Sequence, residues 1–210
     1  IFIQRKIPFV QSYQRTISPK STTIAYKLAG KRIRITSCAA HMLKGLPNLH
    51  IFKPIFNFTD TNYFTVDENA KRDYLAFLGR IEDIKGTKEA IEAAIQTNHK
   101  IIVAGNIQPG HDEYFETQIK PFFSNPLVKY IGPVNDEEKR ILLQQAKAML
   151  FPIKWEEPFG IVLAESLACG TPVIGFKRGS VPEVIQHGIN GFITDTKEEM
   201  KASIYRIDQL

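Results

Sequence analysis

Two cations stand five positions apart in one glycine-bounded stretch, Gly79-Arg80-Ile81-Glu82-Asp83-Ile84-Lys85-Gly86. Glycine at either end lets the backbone turn tightly, and a guanidinium with an ammonium suits a diphosphate, because both make charge-assisted hydrogen bonds to phosphate oxygens. The stretch is neither a Walker loop nor GxGxxG, and on those residues alone a plain polar loop is the commoner reading. A second stretch, Trp155-Glu156-Glu157-Pro158-Phe159-Gly160, leads into a run from Ile161 to Cys169 of helical character that Gly170 ends. Free N–H groups at Phe159, Gly160 and Ile161, at the positive end of the helix dipole, are expected to meet an anion. Glu157 precedes that helix and Glu165 lies two turns into it, so the two carboxylates are too far apart to share a proton. The plain alternatives are a helix-start acid for Glu157 and a surface residue for Glu165. Yet a glutamate between Ala164 and Leu167 on an otherwise apolar helix is an odd place for an idle charge.

Two further stretches carry weaker signals. Lys177-Arg178-Gly179-Ser180-Val181-Pro182-Glu183 reads as a strand-to-helix turn with Pro182 near the start of the next helix. Gly105, and Gly132-Pro133-Val134, each follow a candidate strand and are of a size to shape a slot for a flat base.

These loops need a scaffold, and the spacing of apolar residues provides one. From Tyr74 onward, short apolar runs alternate with amphipathic stretches. Tyr74 to Leu78, Ile101 to Ala104, Val128 to Ile131, Ala148 to Phe151, Pro172 to Gly175 and Gly191 to Ile193 read as strands. Helices are expected from about Thr87 to Thr97 and from Asp136 to Ala146. Strands that are apolar on both sides and joined by helices imply a parallel sheet covered on both faces. The fold class expected is therefore α/β, a doubly wound, Rossmann-like parallel sheet over residues 74–210, with a partial second α/β domain before it. Ligands of such sheets bind beyond the carboxyl ends of the strands, where the loops above fall.

Residues 1–60 hold candidate strands at Ile7 to Tyr13, Arg32 to Thr36 and His50 to Lys53, with a helix from Pro19 to Ala29 that starts at Ser18 and stops at Gly30. So few elements make a poor core by themselves, and the segment is read as the remnant of another domain. Residues 61–73 are read as a linker, within irregular chain that begins at Pro54. The chain lacks a starting Met and a signal peptide, and is read as starting inside a longer protein. No apolar run approaches the roughly 18 residues needed to span a membrane. Cys38 and Cys169 form no CxxC, and there is no Asp-x-Asp, so neither a metal nor a cofactor is expected and a reducing, cytoplasmic setting fits.

The net charge of +5 is uneven. Residues 1–60 carry ten Lys and Arg against the single acid Asp60, while the remainder carries 17 against 21. Two readings stand side by side: a solvated lysine-rich face, or a surface that meets an anionic acceptor or the inner face of an anionic membrane. No RNP, helix-turn-helix or finger pattern accompanies the charge, which argues against nucleic acid.

Taken together, residues 74–200 resemble the retaining GT-B glycosyltransferases of family 4. The resemblance is carried by Gly-Arg-x4-Lys-Gly at 79–86, Glu-Pro-Phe-Gly at 157–160 with a second Glu eight positions on, Ala-Cys-Gly-Thr-Pro-Val-Ile at 168–174, and Gly-Ser-Val-Pro-Glu-Val at 179–184 followed by Gly-x-x-Gly-Phe. It implies transfer of a hexosyl group from a UDP- or GDP-sugar to an acceptor hydroxyl with retention. The acceptor would be a glycan, a lipid-linked sugar or a small molecule. By the resemblance, Arg80 and Lys85 grip the donor diphosphate and Glu157 holds the donor sugar with the backbone of Phe159, Gly160 and Ile161. By the same resemblance Glu165 would bind the ribose hydroxyls, while Gly79, Gly132 and Val134 are expected in the donor site from their place after the candidate strands. The first segment is similar to the family more faintly, at Ile7 to Gln14 and at Asn57 to Asp60. Gln14 stands where the family often has His, and Phe58 where it has Gly. Two alternatives share the nucleotide-sugar site: a GT-B-like epimerase, and a binding fragment without catalysis.

Overall fold

The computed structural model describes residues 7–46 and 53–210. Its first unit is a βαβ element. β1 (Phe9–Tyr13) and β2 (Ile33–Ser37) pair in parallel with Phe9 opposite Ile33, and α1 (Pro19–Ala29) connects them. The ends of α1 are those the sequence predicts. The Ser18 side chain accepts from the N–H of Ser21, Pro19 opens the helix, and Gly30 closes it at φ +59°. Ala29, Ile33 and Ile35 form its small core. Of the predicted strand His50 to Lys53, only Lys53 lies within the described residues. Its carbonyl accepts from Thr36 Oγ1 at 2.9 Å, and Ile55 N–H donates to Ser37 O, so the chain runs beside β2 in the same direction.

The second unit is a six-stranded, wholly parallel sheet in the order β5-β4-β3-β6-β7-β8. Its strands are β3 (Tyr74–Leu78), β4 (Ile101–Ala104), β5 (Val128–Gly132), β6 (Ala146–Phe151), β7 (Val173–Phe176) and β8 (Gly191–Thr194). Its helices are α2 (Thr87–Gln96), α3 (Asp112–Tyr114), which passes into a π turn at Phe115–Ile119 and a 3₁₀ turn at Lys120–Ser124, α4 (Asp136–Gln144), α5 (Ile161–Ala168), α6 (Val181–Val184) and α7 (Lys197–Tyr205). Successive strand residues point to opposite faces. Leu75 and Phe77 of β3 pack with Ala90, Ile91, Met200 and Ile204 of α2 and α7. Ala76 and Leu78 pack with Leu142, Leu143 and Leu163 of α4 and α5. Both faces are covered, which is why the strands read as unbroken apolar runs.

The stretch 61–73 packs onto this second unit. Phe64 is buried in the α4–α5 layer. Arg72 donates to the carbonyls of Gly170 and Cys169 just past the end of α5, where a guanidinium also suits the negative end of the helix dipole. No helix among the described residues is long and apolar enough to cross a membrane.

Candidate active site

Sheet order decides where a ligand fits. The chain leaves β3 toward β4 on one side and leaves β6 toward β7 on the other. The loops after β3 and β6 therefore diverge and open a crevice at the carboxyl edge of the sheet. Gly79–Gly86 is the first of these loops and Pro152–Gly160 the second. They are laced together. Lys154 N–H donates to Ile84 O at 2.9 Å, and Lys154 Nζ lies 2.7 Å from both Asp83 and Glu89. Gly86 permits this contact: at φ +75°, a Cβ there would fall 2.0 Å from Pro152 O.

The crevice holds most of the predicted group. Gly79, Arg80, Lys85, Glu157, Gly160 and Ile161 line one pocket. A larger cleft of about 730 Å³ adjoins it, lined by Arg80, Lys85, Glu157, Phe159 and Ile161 from the second unit and by Gln14, Arg15 and Asn57 from the first. The Arg80 Nε sits 3.1 Å from Glu82 Oε1, and its side chain is 45% exposed, so the guanidinium reaches solvent across the cleft mouth. Lys85 Nζ lies 2.5 Å from Glu157 Oε2 and 5.1 Å above the centre of the Trp155 ring. The same Glu157 oxygen accepts from the indole N–H of Trp155 at 3.0 Å. Gly160, at φ +72°, starts α5 with no side-chain cap and no acid in the first turn, and leaves Ile161 exposed. An uncapped helix start facing a cleft presents N–H groups and a positive dipole end to an anion.

Glu165 lies on α5, turned into the α4–α5 layer. It is 5% exposed; Oε1 lies 2.7 Å from Lys139 Nζ of α4, and Oε2 is buried without a partner. It is no surface residue. Burial alone would lower the Lys139 pKa, but bonds to Glu165 and Asp136 outweigh it and leave the ammonium held above its ordinary range. Neither Glu165 nor Gly132 nor Val134 is among the residues lining the two pockets. Gly132 ends β5, two strands along the same edge from β3, and Val134 packs against the α4–α5 layer.

The site uses residues whose local signals are weak. The turn Lys177 to Glu183 is a brace. Gly179 N–H donates to Glu156 Oε2 at 2.7 Å, Ser180 N–H to Glu157 O at 3.1 Å and Ser180 Oγ to Phe159 O at 2.5 Å. Glu183 reaches the first unit: its carboxylate accepts the N–H groups of Ala40 and His41, each at 2.6 Å, and lies 3.1 Å from His41 Nδ1. Gln14 Oε1 accepts from Asn57 Nδ2 at 2.9 Å, so the two positions that depart from or echo the family in the first segment meet in the cleft. Cys38 also lines it, its thiol pushed up by burial. Among the described residues no group of three or more His, Cys, Asp or Glu side chains is arranged to hold a metal ion.

A crevice at the switch point with two cations and an uncapped helix start is the setting in which the sequence comparisons fall. Residues 59–210 match the family profile described as glycosyl transferases group 1. The chain belongs to that family. Among curated relatives of this group 1 chain, an uncharacterized glycosyltransferase of Methanocaldococcus jannaschii is 31% identical over 121 residues, covering 56% of this chain and 30% of that protein. The N-acetyl-alpha-D-glucosaminyl L-malate synthase of Bacillus anthracis is 28% identical over 163 residues, covering 71% and 41%. The chain thus spans less than half the length of these relatives. Among solved structures, the fold is similar to that of Anabaena HepE, solved with UDP and glucose, with a TM-score of 0.77 and 22% identity over 96% of this chain and 61% of that one. It is similar also to sucrose-phosphate synthase of Thermosynechococcus elongatus, with a TM-score of 0.80 and 17% identity over 97% and 59%. At these identities the likeness is one of fold, and the six-stranded parallel sheet of this group 1 chain is of the GT-B kind.

Proposed function

We propose that the chain binds a nucleotide diphosphate sugar, of the UDP or GDP class, between the loops after β3 and β6. It then takes part in moving the hexosyl group to an acceptor hydroxyl, with retention at the anomeric carbon. One observation carries this reading: Arg80, Lys85 and the uncapped start of α5 converge on one pocket. The reaction breaks the bond from the anomeric carbon to the phosphate oxygen and forms one to the acceptor oxygen, whose hydroxyl proton is given up to the departing diphosphate, so negative charge grows on that diphosphate as the bond breaks. Preorganised donors aimed at growing charge act most strongly in a site that excludes water. In this reading Arg80, Lys85 and the α5 amides meet that charge without a metal ion. Glu157 and the Phe159–Ile161 backbone hold the hexose, and the unpartnered oxygen of Glu165 accepts from the ribose. Gly132 to Val134 flank the base. The acceptor enters from the first unit, past Arg15 and Gln14, where an excess of basic residues suits an anionic or membrane-associated acceptor in the cytoplasm. HepE, which binds UDP-glucose, supports the donor class by analogy.

Calorimetric titration of the chain with UDP-glucose and with GDP-mannose tests the reading. Saturable binding of one of them, competed by its nucleoside diphosphate, is expected; uptake of neither would sink it. Release of a new sugar isomer without any acceptor would point to an epimerase instead.

A further inference from the structure

Trp155, the single tryptophan of the chain, lines the cleft beside Glu157 and Lys85. It is half-buried, stands two residues before Glu157 and donates its indole N–H to Glu157 Oε2 at 3.0 Å. That oxygen is also the one held by Lys85 at 2.5 Å. The backbone under Glu157 is anchored separately, by its N–H to Trp155 O and by its carbonyl to Ser180 N–H. The main chain is therefore fixed, and the direction of the carboxylate depends on two donors, one charged and one neutral.

The two donors respond differently to a ligand. Lys85 is a flexible ammonium that faces the same pocket as Arg80, and a diphosphate carries more negative charge than one carboxylate. A bound diphosphate therefore competes with Glu157 for Lys85. The indole is rigid, is tied to Glu157 through the short chain between them, and carries one N–H with no second acceptor among the described residues. We propose that Trp155 is a positioning residue for the donor sugar. As the diphosphate draws Lys85 away, the indole N–H keeps Glu157 Oε2 in place, so that Oε1 stays aimed at the hexose hydroxyls. Without it, a carboxylate whose side chain is only 12% exposed would be left with no donor and would turn to find one. This rests on the donor reading above, and it assigns to Trp155 the sugar part of donor affinity and not the nucleotide part.

Trp155→Phe keeps an aromatic face under Lys85 and removes only the N–H. Titrations of the whole chain with a nucleoside diphosphate and with its hexose conjugate, UDP with UDP-glucose or GDP with GDP-mannose as the wild type prefers, separate the two contributions. The variant is expected to lose about tenfold in affinity for the sugar conjugate, the scale of one hydrogen bond to a charged group, and less than twofold for the nucleoside diphosphate. Adding Trp155→Phe to Glu157→Ala is expected to cost little more than Glu157→Ala alone, because Glu157→Ala already removes the acceptor of the indole N–H. Equal losses for both ligands, no loss for either, or additive losses would overturn the proposal. The wild type supplies an arm that needs no variant: saturation with the nucleoside diphosphate alone should change the emission of the sole tryptophan as Lys85 leaves its ring. Unchanged emission at saturation would also overturn it. Failure of the donor reading looks different, since the wild type would then bind neither ligand.

Discussion

At the scale of single residues, the site is a set of charges already occupied with one another. Lys85 is spent on Glu157, and Arg80 on Glu82. Glu82 has only 7% of its side chain exposed, so truncating Arg80 alone mixes two effects: a lost phosphate donor and an acid left without its cation. Arg80→Ala is expected to slow sugar transfer by the complete enzyme about 10²- to 10³-fold, roughly 3–4 kcal/mol, and to lower stability as well. Adding Glu82→Gln should restore the melting temperature and leave the rate where it was. Steady-state rates and thermal unfolding of the two variants decide the matter. A rate loss below tenfold, or a rate that recovers along with stability, removes Arg80 from the diphosphate. The charge pair at 80 and 85 was legible in the sequence because both cations lie in one short loop. Their partners were not legible, since the pairing of Lys85 with residue 157 depends on the crossing of two loops far apart in the chain.

Among elements, legibility followed periodicity. β3 and β4 match the predicted runs end for end, because parallel strands covered on both faces carry apolar residues at every position. β6 starts two residues before its predicted start, at Ala146, since Lys147 interrupts the run and its charge is met only in three dimensions by Asp208 at 2.8 Å. The π and 3₁₀ turns of 115–124 have no sequence period of their own; burial of Ile119 and the ring packing of Phe115, Phe123 and Tyr130 hold them in place. The turn between β7 and α6 is the clearest case of function hidden from local reading. Its sequence describes a turn, whereas its position makes it the floor under Glu156 and Glu157. Gly179 sits at φ +53°, and a Cβ there would lie 2.3 Å from Glu157 O and 2.4 Å from Glu157 N. Gly179→Ala must therefore displace the loop that carries Glu157. The expected result is a loss of at least tenfold in nucleotide-sugar affinity together with about 1–3 kcal/mol of stability, the usual cost of a side chain forced into a left-handed backbone. Chemical denaturation and titration calorimetry measure the two quantities. Unchanged affinity in the folded variant would mean that the turn does not set the position of Glu157.

On the scale of the molecule, the question is what holds the basic first unit over the acidic second one. The connection through 54–73 is fastened at both ends, by Ile55 N–H and Asn57 to the first unit and by Phe64 and Arg72 to the second. Polar contact between the β1–β2 unit and the six-stranded unit is made by the Glu183 carboxylate on the N–H groups of Ala40 and His41, with His41 Nδ1 beside it. Hydrogen bonds to a carboxylate are worth about 1.5–3 kcal/mol each, and they add to the Phe56–Phe159 contact at 6.3 Å between ring centres. Gln14, Arg15 and Asn57 form one wall of the cleft between the units and the loops after β3 and β6 the other, so a contact that holds the units together also holds the cleft. Glu183→Ala should open it. The radius of gyration from solution scattering is expected to rise, and proteolysis within residues 54–63 to accelerate. Affinity for a nucleoside diphosphate should stay within about twofold, because its proposed ligands all lie on the second unit. Sugar transfer by the complete enzyme, which needs both walls, should fall at least tenfold. If scattering and cleavage are unchanged while diphosphate affinity falls, then Glu183 supports the β7–α6 turn from within and the two units are held together by packing alone.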